Sequence, residues 1–430
     1  MPAASFPSQS PPPQSLSSPS PPPSEVEIHS LKRRLAQAEE ENEKLRRKKR
    51  SGTDHETSLA RASRKYVSLH TPLKVLVNEW DRRLDPDEES VQFNHAQPED
   101  RALAKERDRN FNGFKELEKL FGKSNLARKL EDPNFLQVLK SWEKLGDDAR
   151  GTDIRNCKSS VADWLNGIDR LFVAKGETPE YVDPSSRGKR SFRNNMTGRL
   201  LCPIHVNWDD PEVRRKIKDM DGINFPPSQQ LYPRMLYAGY RGNPMIPHKR
   251  FLMSTLMVRC LKLIFTSNTS ALRHNGDDSD SDDTSETEPP RKRQRVLREP
   301  TKKNVASRIG MTSVTPRAIA YTAVMLHFAL SSAESWNIVN EGFNYAVFYD
   351  FIVDYLEVHI SQERRRDLLN WWNAQVFPAK NTNSSPGELQ LIEEDMALRE
   401  IWSDCAVLAA QAGQKRQPED SDQAGVQSSS

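Results

Sequence analysis

The chain has 430 residues, of which 36% are hydrophobic and 29% charged. That is room for two or three domains, but a polar balance if all of it were to fold compactly. Lys plus Arg number 63 against 60 for Asp plus Glu, a net charge of +3. This argues against coating nucleic acid by bulk charge and leaves only local patches.

Residues 1–24 are Pro, Ser and Gln with no apolar core, which excludes a signal peptide and predicts a disordered tail. A charged helix is expected over 25–50, with a linker over 51–65. The helical domain then starts, its first part spanning 66–270. Leu73, Leu76, Val77, Trp80 and Leu84 fall on one face behind Pro72. Phe111, Phe114, Leu117 and Phe121 repeat the pattern, closed by Gly122. The cleanest stripe is Ile154, Cys157, Val161, Trp164, Leu165, Ile168 and Leu171. A polar loop with a basic run, Arg187 to Arg193, precedes a short helix capped by Asp210 before Pro211 and ended by Gly222. A Pro- and Tyr-rich connection, 225–247, leads to an apolar helix from Arg250 to Phe265.

A disordered acidic and basic insert is expected over 271–305. The second part of the helical domain, 306–378, carries helices at 316–332, 343–359 and 362–376. Ser385 to Glu388 has capping-box spacing and opens a C-terminal helix within 379–411, before a polar tail over 412–430. With no alternating strand pattern, the expected class is all-α. The longest apolar run, Ala318 to Leu330, contains His327 and is too short to span a bilayer, so no membrane partner is expected.

The helix at 25–50 carries a heptad. Ile28, Leu35 and Asn42 occupy a positions, and Leu31, Ala38 and Leu45 occupy d positions. In a parallel pair each g residue meets the partner's e residue five positions later. Those pairs are Glu27 with Lys32, Arg34 with Glu39, and Glu41 with Arg46, all opposite in sign. Asn42 favours two strands in register, because two buried amides satisfy each other only when aligned. The spacing therefore predicts a parallel homodimer; a lone solvated helix is the plainer alternative. Arg46, Arg47, Lys48, Lys49 and Arg50 follow directly. A basic-leucine-zipper protein has the opposite order, so this run reads as an import address or a phosphate-contacting patch.

Within the insert, seven acidic residues between Asp277 and Glu288 surround Ser279, Ser281 and Ser285. Pro289 and Pro290 then lead into Arg291, Lys292, Arg293 and Arg295. Clustered cations on an extended chain suit the acidic groove of a nuclear import receptor. Ser279 and Ser285 each have an acidic residue three positions on, so these serines, with Ser281, are candidate phosphorylation sites beside the signal.

Chemistry-bearing motifs are sparse. Four scattered cysteines, Cys157, Cys202, Cys260 and Cys405, make neither a C-x-x-C pair nor a secreted disulfide framework and point to a reducing compartment. The nine histidines show no metal-ligand spacing, and no nucleophile elbow or phosphate loop is found. His327 reads as a core residue, and Cys157 and Cys260 read as structural thiols. Gly239 to Gly242 has the glycine spacing of a KH loop but the wrong flanking prolines. Asp209, Asp210, Glu212 and Lys218 suggest a nuclease centre, with helix capping as the simpler role for Asp210. Trp371 and Trp372 with Arg364 to Arg366 suggest stacking on nucleic acid, against a core pair with a basic outer face. No catalytic, metal or cofactor site is assigned.

Two segments carry a family likeness. One is Gly198-Arg199-Leu200-Leu201-Cys202-Pro203, Trp208, Tyr232-Pro233, Leu236-Tyr237 and Leu263 to Ser267. The other is Ile319-Ala320-Tyr321, Phe328 to Ser332, Phe348-Tyr349, Ile352-Val353, Trp371-Trp372 and Val376-Phe377. Over about residues 130–378 the chain resembles a family of unknown function that is abundant in mushroom-forming fungi. The resemblance implies a helical domain interrupted by the insert and carries no activity with it.

The resulting expectation is a nuclear, non-enzymatic helical interaction protein that forms a homodimer and binds an import receptor, with a cytoplasmic location as the alternative. The competing reading is a nucleic-acid- or chromatin-associated factor, connected with mobile elements, that uses Arg46 to Arg50, Arg187 to Arg193 and Arg364 to Arg366. An enzyme with a site in 225–247 is the third.

Overall fold

Among the residues described by the computed structural model (39, 54–85, 97–167, 179–219, 225, 230–272, 304–340 and 342–377), helix follows helix, with one two-stranded sheet. The chain divides between Asp54 and His55, and the architecture here is that of the second unit. Within it, helix α1 covers 55–66 and α2 Leu73–Leu84. Helix α3, Pro98–Phe121, starts on a first-turn proline with Glu99 and Asp100 near its positive end, and stops at Gly122, whose φ of 80° favours glycine. Then come α4 (Lys123–Leu130) and α5 (Phe135–Gly167). Residues 154–167 of the expected stripe are thus the second half of a longer helix, while Ile168 and Leu171 lie outside the described residues.

Local capping sets most later starts. The Asn194 side chain accepts from the Met196 and Thr197 amides to open α6, Asn195–Leu201. Asp210 accepts from the Glu212 and Val213 amides ahead of α7, Pro211–Asp219. Ser254 caps α8, Thr255–Phe265, which is followed by α9, Asn268–Leu272. This corrects the expected start at Arg250: Arg250 and Leu252 have φ of 58° and 61°, left-handed values that an α-helix cannot contain. After α10 (Val305–Arg308), Thr315 and Pro316 open α11, Pro316–Leu330.

The helix expected over 343–359 divides into three pieces. Strand β1 (Val339–Asn340) pairs antiparallel with β2 (Phe343–Asn344), α12 covers Tyr345–Asp354, and a π-helical turn takes Tyr355–His359. Asn344 causes the first break, because its side chain accepts from the Ala346 and Val347 amides and so serves as a cap. Helix α13 spans Gln362–Val376 behind Ser361.

Every residue from Arg317 to Leu330 is buried. A helix apolar on all sides belongs at the centre of a fold, and α11 packs against α5, α6, α8 and α12. Each fully buried large side chain along it contributes about 1.5–3 kcal/mol relative to exposure. The Pro- and Tyr-rich connection is also core. Tyr232 and Phe251 meet Phe351 and Tyr355 edge-on, each with ring centres 5.1 Å apart, and Tyr237 is fully buried while donating to the Pro247 carbonyl at 2.8 Å. Among the described residues no helix is long and apolar enough to cross a membrane.

Candidate functional site

Burying α11 on every side also buries its polar residues, and these must find partners. At its first turn, Arg317 forks onto Glu357 in the π-turn, with Nε to Oε1 at 2.8 Å and Nη2 to Oε2 at 3.1 Å. The same guanidinium donates to the Val67 carbonyl at 2.6 Å and the Arg109 carbonyl at 2.8 Å. One side chain therefore ties the end of α1, α3, α11 and the π-turn together. Arg109 itself bridges Asp350 at 2.7 Å and Asp354 at 2.9 Å, and His70 Nε2 lies 3.0 Å from Asp350. Burial alone would lower the Arg109 pKa, but the two carboxylates hold it above its ordinary value.

One turn further along α11, Tyr321 donates to Asp153 Oδ2 at 2.8 Å. Asp153 is also paired with Lys65 from α1 at 2.6 Å, with both side chains less than a tenth exposed. Burial, reinforced by the Asp153 charge, pushes the Tyr321 phenol well up, so it stays a neutral donor. Beside this group the Cys157 and Cys260 sulfurs touch at 3.4 Å.

The far end of α11 is served by arginines of the basic run. Arg190 donates to the Ala329 carbonyl at 2.5 Å, to the Lys158 carbonyl at 2.9 Å and to the Asp183 carbonyl at 2.7 Å. A cation against the last-turn carbonyls complements the helix dipole. Burial, with Arg187 nearby, lowers the Arg190 pKa to about 10. Arg187 lies 4.2 Å over the Phe328 ring and donates to the Glu334 carbonyl. The expected polar loop thus places two of its arginines inside the fold, where they are unavailable to phosphates. His327 lies in the core, stacked on Phe343 with ring centres 3.9 Å apart, and burial pushes its pKa down to about 3.

The remaining candidates are held by similar contacts. Arg364 and Arg365 donate to the His248 and Glu357 carbonyls, while Arg366 projects outward. Trp372 is fully buried against a partly buried Trp371. Asp209 pairs with Arg199 at 3.1 Å, Glu212 with Arg215 at 2.8 Å, and Asp210 is a cap. Gly239 and Tyr240 form a tight 3-10 turn with positive φ, not the loop between helices that a KH motif requires. Among the described residues, no three His, Cys, Asp or Glu side chains are grouped to hold a metal. The charges of these groups neutralise one another or cap carbonyls, and His327 and the Tyr321 phenol remain neutral at pH 7.

The seam residues Ile28, Leu31, Leu35, Ala38, Asn42 and Leu45 lie outside the described residues, as do Arg46 to Arg50, Ser279, Ser281, Ser285, Arg291, Lys292, Arg293 and Arg295. So does the C-terminal helix expected within 379–411. Only Glu39 of the N-terminal segment is described; it is helical and exposed.

Residues 144–377 match a family described as "Family of unknown function (DUF6698)". The chain belongs to this family. The DUF6698 span begins inside α5 and ends just beyond α13, slightly inside the 130–378 likeness seen in sequence. It contains Arg190, Arg317, Tyr321, Glu357 and both touching cysteines. Lys65, Val67 and Arg109 precede it, so partners of Asp153 and Arg317 come from helices outside the family span. No curated protein and no solved structure matches the chain.

Proposed function

We propose that this DUF6698 protein is a nuclear, non-enzymatic interaction protein that pairs with a second copy through residues 25–50 and displays its helical domain in duplicate. The observation that carries this reading is the heptad. Three successive g-to-e pairs are opposite in sign, around a seam of Ile28, Leu31, Leu35, Ala38, Asn42 and Leu45. Arg291, Lys292, Arg293 and Arg295 supply the import address, with Ser279, Ser281 and Ser285 placed to mask it when phosphorylated. The non-enzymatic part is supported by Arg109, Asp153, Arg190 and Arg317, whose charges are engaged with carboxylates, with Lys65 or with backbone carbonyls. A source among mushroom-forming fungi goes with the resemblance.

Light scattering of the intact chain and of a chain lacking 25–50 tests the assembly. The expected result is twice the chain mass for the first and the chain mass for the second; a monomer at high concentration in both would end the proposal. Alanine at Lys292 and Arg293 should move a fluorescent fusion out of nuclei, and an unchanged distribution would remove the address. The five consecutive cations at 46–50 favour one competing reading, nucleic-acid association. Binding to arbitrary DNA that weakens steeply with salt and depends on those residues would replace the proposed role.

A further inference from the structure

Cys157 on α5 and Cys260 on α8 lie 103 residues apart in sequence, yet their sulfurs are 3.4 Å apart and both side chains are fully buried. We propose that these two thiols are a reversible redox pair that closes a disulfide between α5 and α8. A disulfide holds its sulfurs about 2.05 Å apart, so closure requires an approach of about 1.4 Å. The two helices pack directly against each other and both flank α11, so the bond would pin two walls of the central helix. The pair also borders the Lys65–Asp153–Tyr321 group, one of the buried polar clusters of the fold. Cys202 provides an internal contrast. It is equally buried, but its sulfur faces the Pro203 and Val206 carbonyls.

The oxidant is a small disulfide of the glutathione class. The Cys157 thiolate attacks one of its sulfurs, the oxidant's S–S bond breaks, and one glutathione thiolate leaves and takes up the proton. Cys260 then loses its proton and displaces the second glutathione from the mixed disulfide. Two protein thiols are oxidised and one glutathione disulfide is reduced to two thiols. The hydrogen bond with Cys260, together with burial, pushes the Cys157 thiol well up, so exchange is slow in the closed fold and proceeds through local opening.

In the test, the intact reduced chain is equilibrated in glutathione buffers of graded oxidised fraction, a few degrees below its own Tm. It is then alkylated under denaturing conditions and mapped by mass spectrometry without reduction. The expected product is a Cys157–Cys260 cross-linked peptide, with Cys202 still alkylatable. The oxidised form should melt roughly 5–8 °C higher, and excess reduced glutathione should reverse the change. The double variant Cys202→Ser, Cys405→Ser should behave alike. Full alkylation of Cys157 and Cys260 in the most oxidising buffer, a bond from either to Cys202 or Cys405, or a lowered Tm on cross-linking would each overturn the proposal.

Discussion

Replacing Arg317 by Met removes the charge while keeping much of the side chain's length. The cost follows from what the guanidinium leaves behind. Arg317 is about 2% exposed and Glu357 13%, so the carboxylate would stay largely desolvated with no cation beside it. The Val67 and Arg109 carbonyls would also lose a donor. Removing one partner of a buried pair typically costs about 3–5 kcal/mol. For a domain of this size that is roughly 2 °C of Tm per kcal/mol, or a fall of about 6–10 °C. Thermal and urea unfolding of the intact chain, followed by circular dichroism, measures it. Arg317→Lys should recover only part, because an ammonium cannot fork onto both carboxylate oxygens while reaching two carbonyls. Arg317→Met with Glu357→Leu should be more stable than Arg317→Met alone, since no buried charge is left unpaired. A loss below about 1 kcal/mol for Arg317→Met, with helix content unchanged, would refute the reasoning that this cluster is held by charge and carbonyl satisfaction.

Acid sensitivity follows from His327, whose pKa burial depresses from 6.5 to about 3. The unfolded chain takes up that proton below about pH 6.5 and the folded chain does not, so stability falls as pH drops from there toward 3, by about 2 kcal/mol at pH 5; urea midpoints across this window should show the slope and His327→Gln should flatten it. His359, lowered to about 4 by burial and then by Lys105, adds to the loss in the same direction. Gly198→Ala should destabilise by about 1–3 kcal/mol despite the better helix former, because a Cβ there meets the Trp208 ring at 2.5 Å; an unchanged Tm would show that the indole can move. Alanine at Arg190 should lower Tm without changing DNA binding measured against salt, whereas neutralising Arg46 to Arg50 should flatten any salt slope by about 0.9 for each phosphate that the chain no longer neutralises.

Some helix starts and stops were legible from a cap or breaker acting within one turn, although the equally local caps Asn194, Ser254 and Asn344 were not. Thr315 with Pro316, Asp210 with Pro211, and Gly122 all act where the sequence places them. The boundary at Arg250 was not legible, since left-handed φ at non-glycine residues is imposed by surrounding packing and leaves no compositional trace. The basic run at 187–193 shows the same limit: charge density marked it as outward-facing, yet Arg187 and Arg190 turn inward because α11 ends beside them with carbonyls to satisfy. His327 was readable as core because everything around it in the chain is apolar.

The amino-acid order alone determined that the chain is helical and where apolar stretches cluster, because helix period and capping are short-range effects. Which buried charges meet was decided by tertiary structure. Arg317 reaches Val67 across 250 positions, Tyr321 reaches Asp153 across 168, and Cys157 meets Cys260 across 103. Such pairings leave no local pattern, since they form only when packing excludes water and each polar group must take the partner that the neighbouring helix supplies.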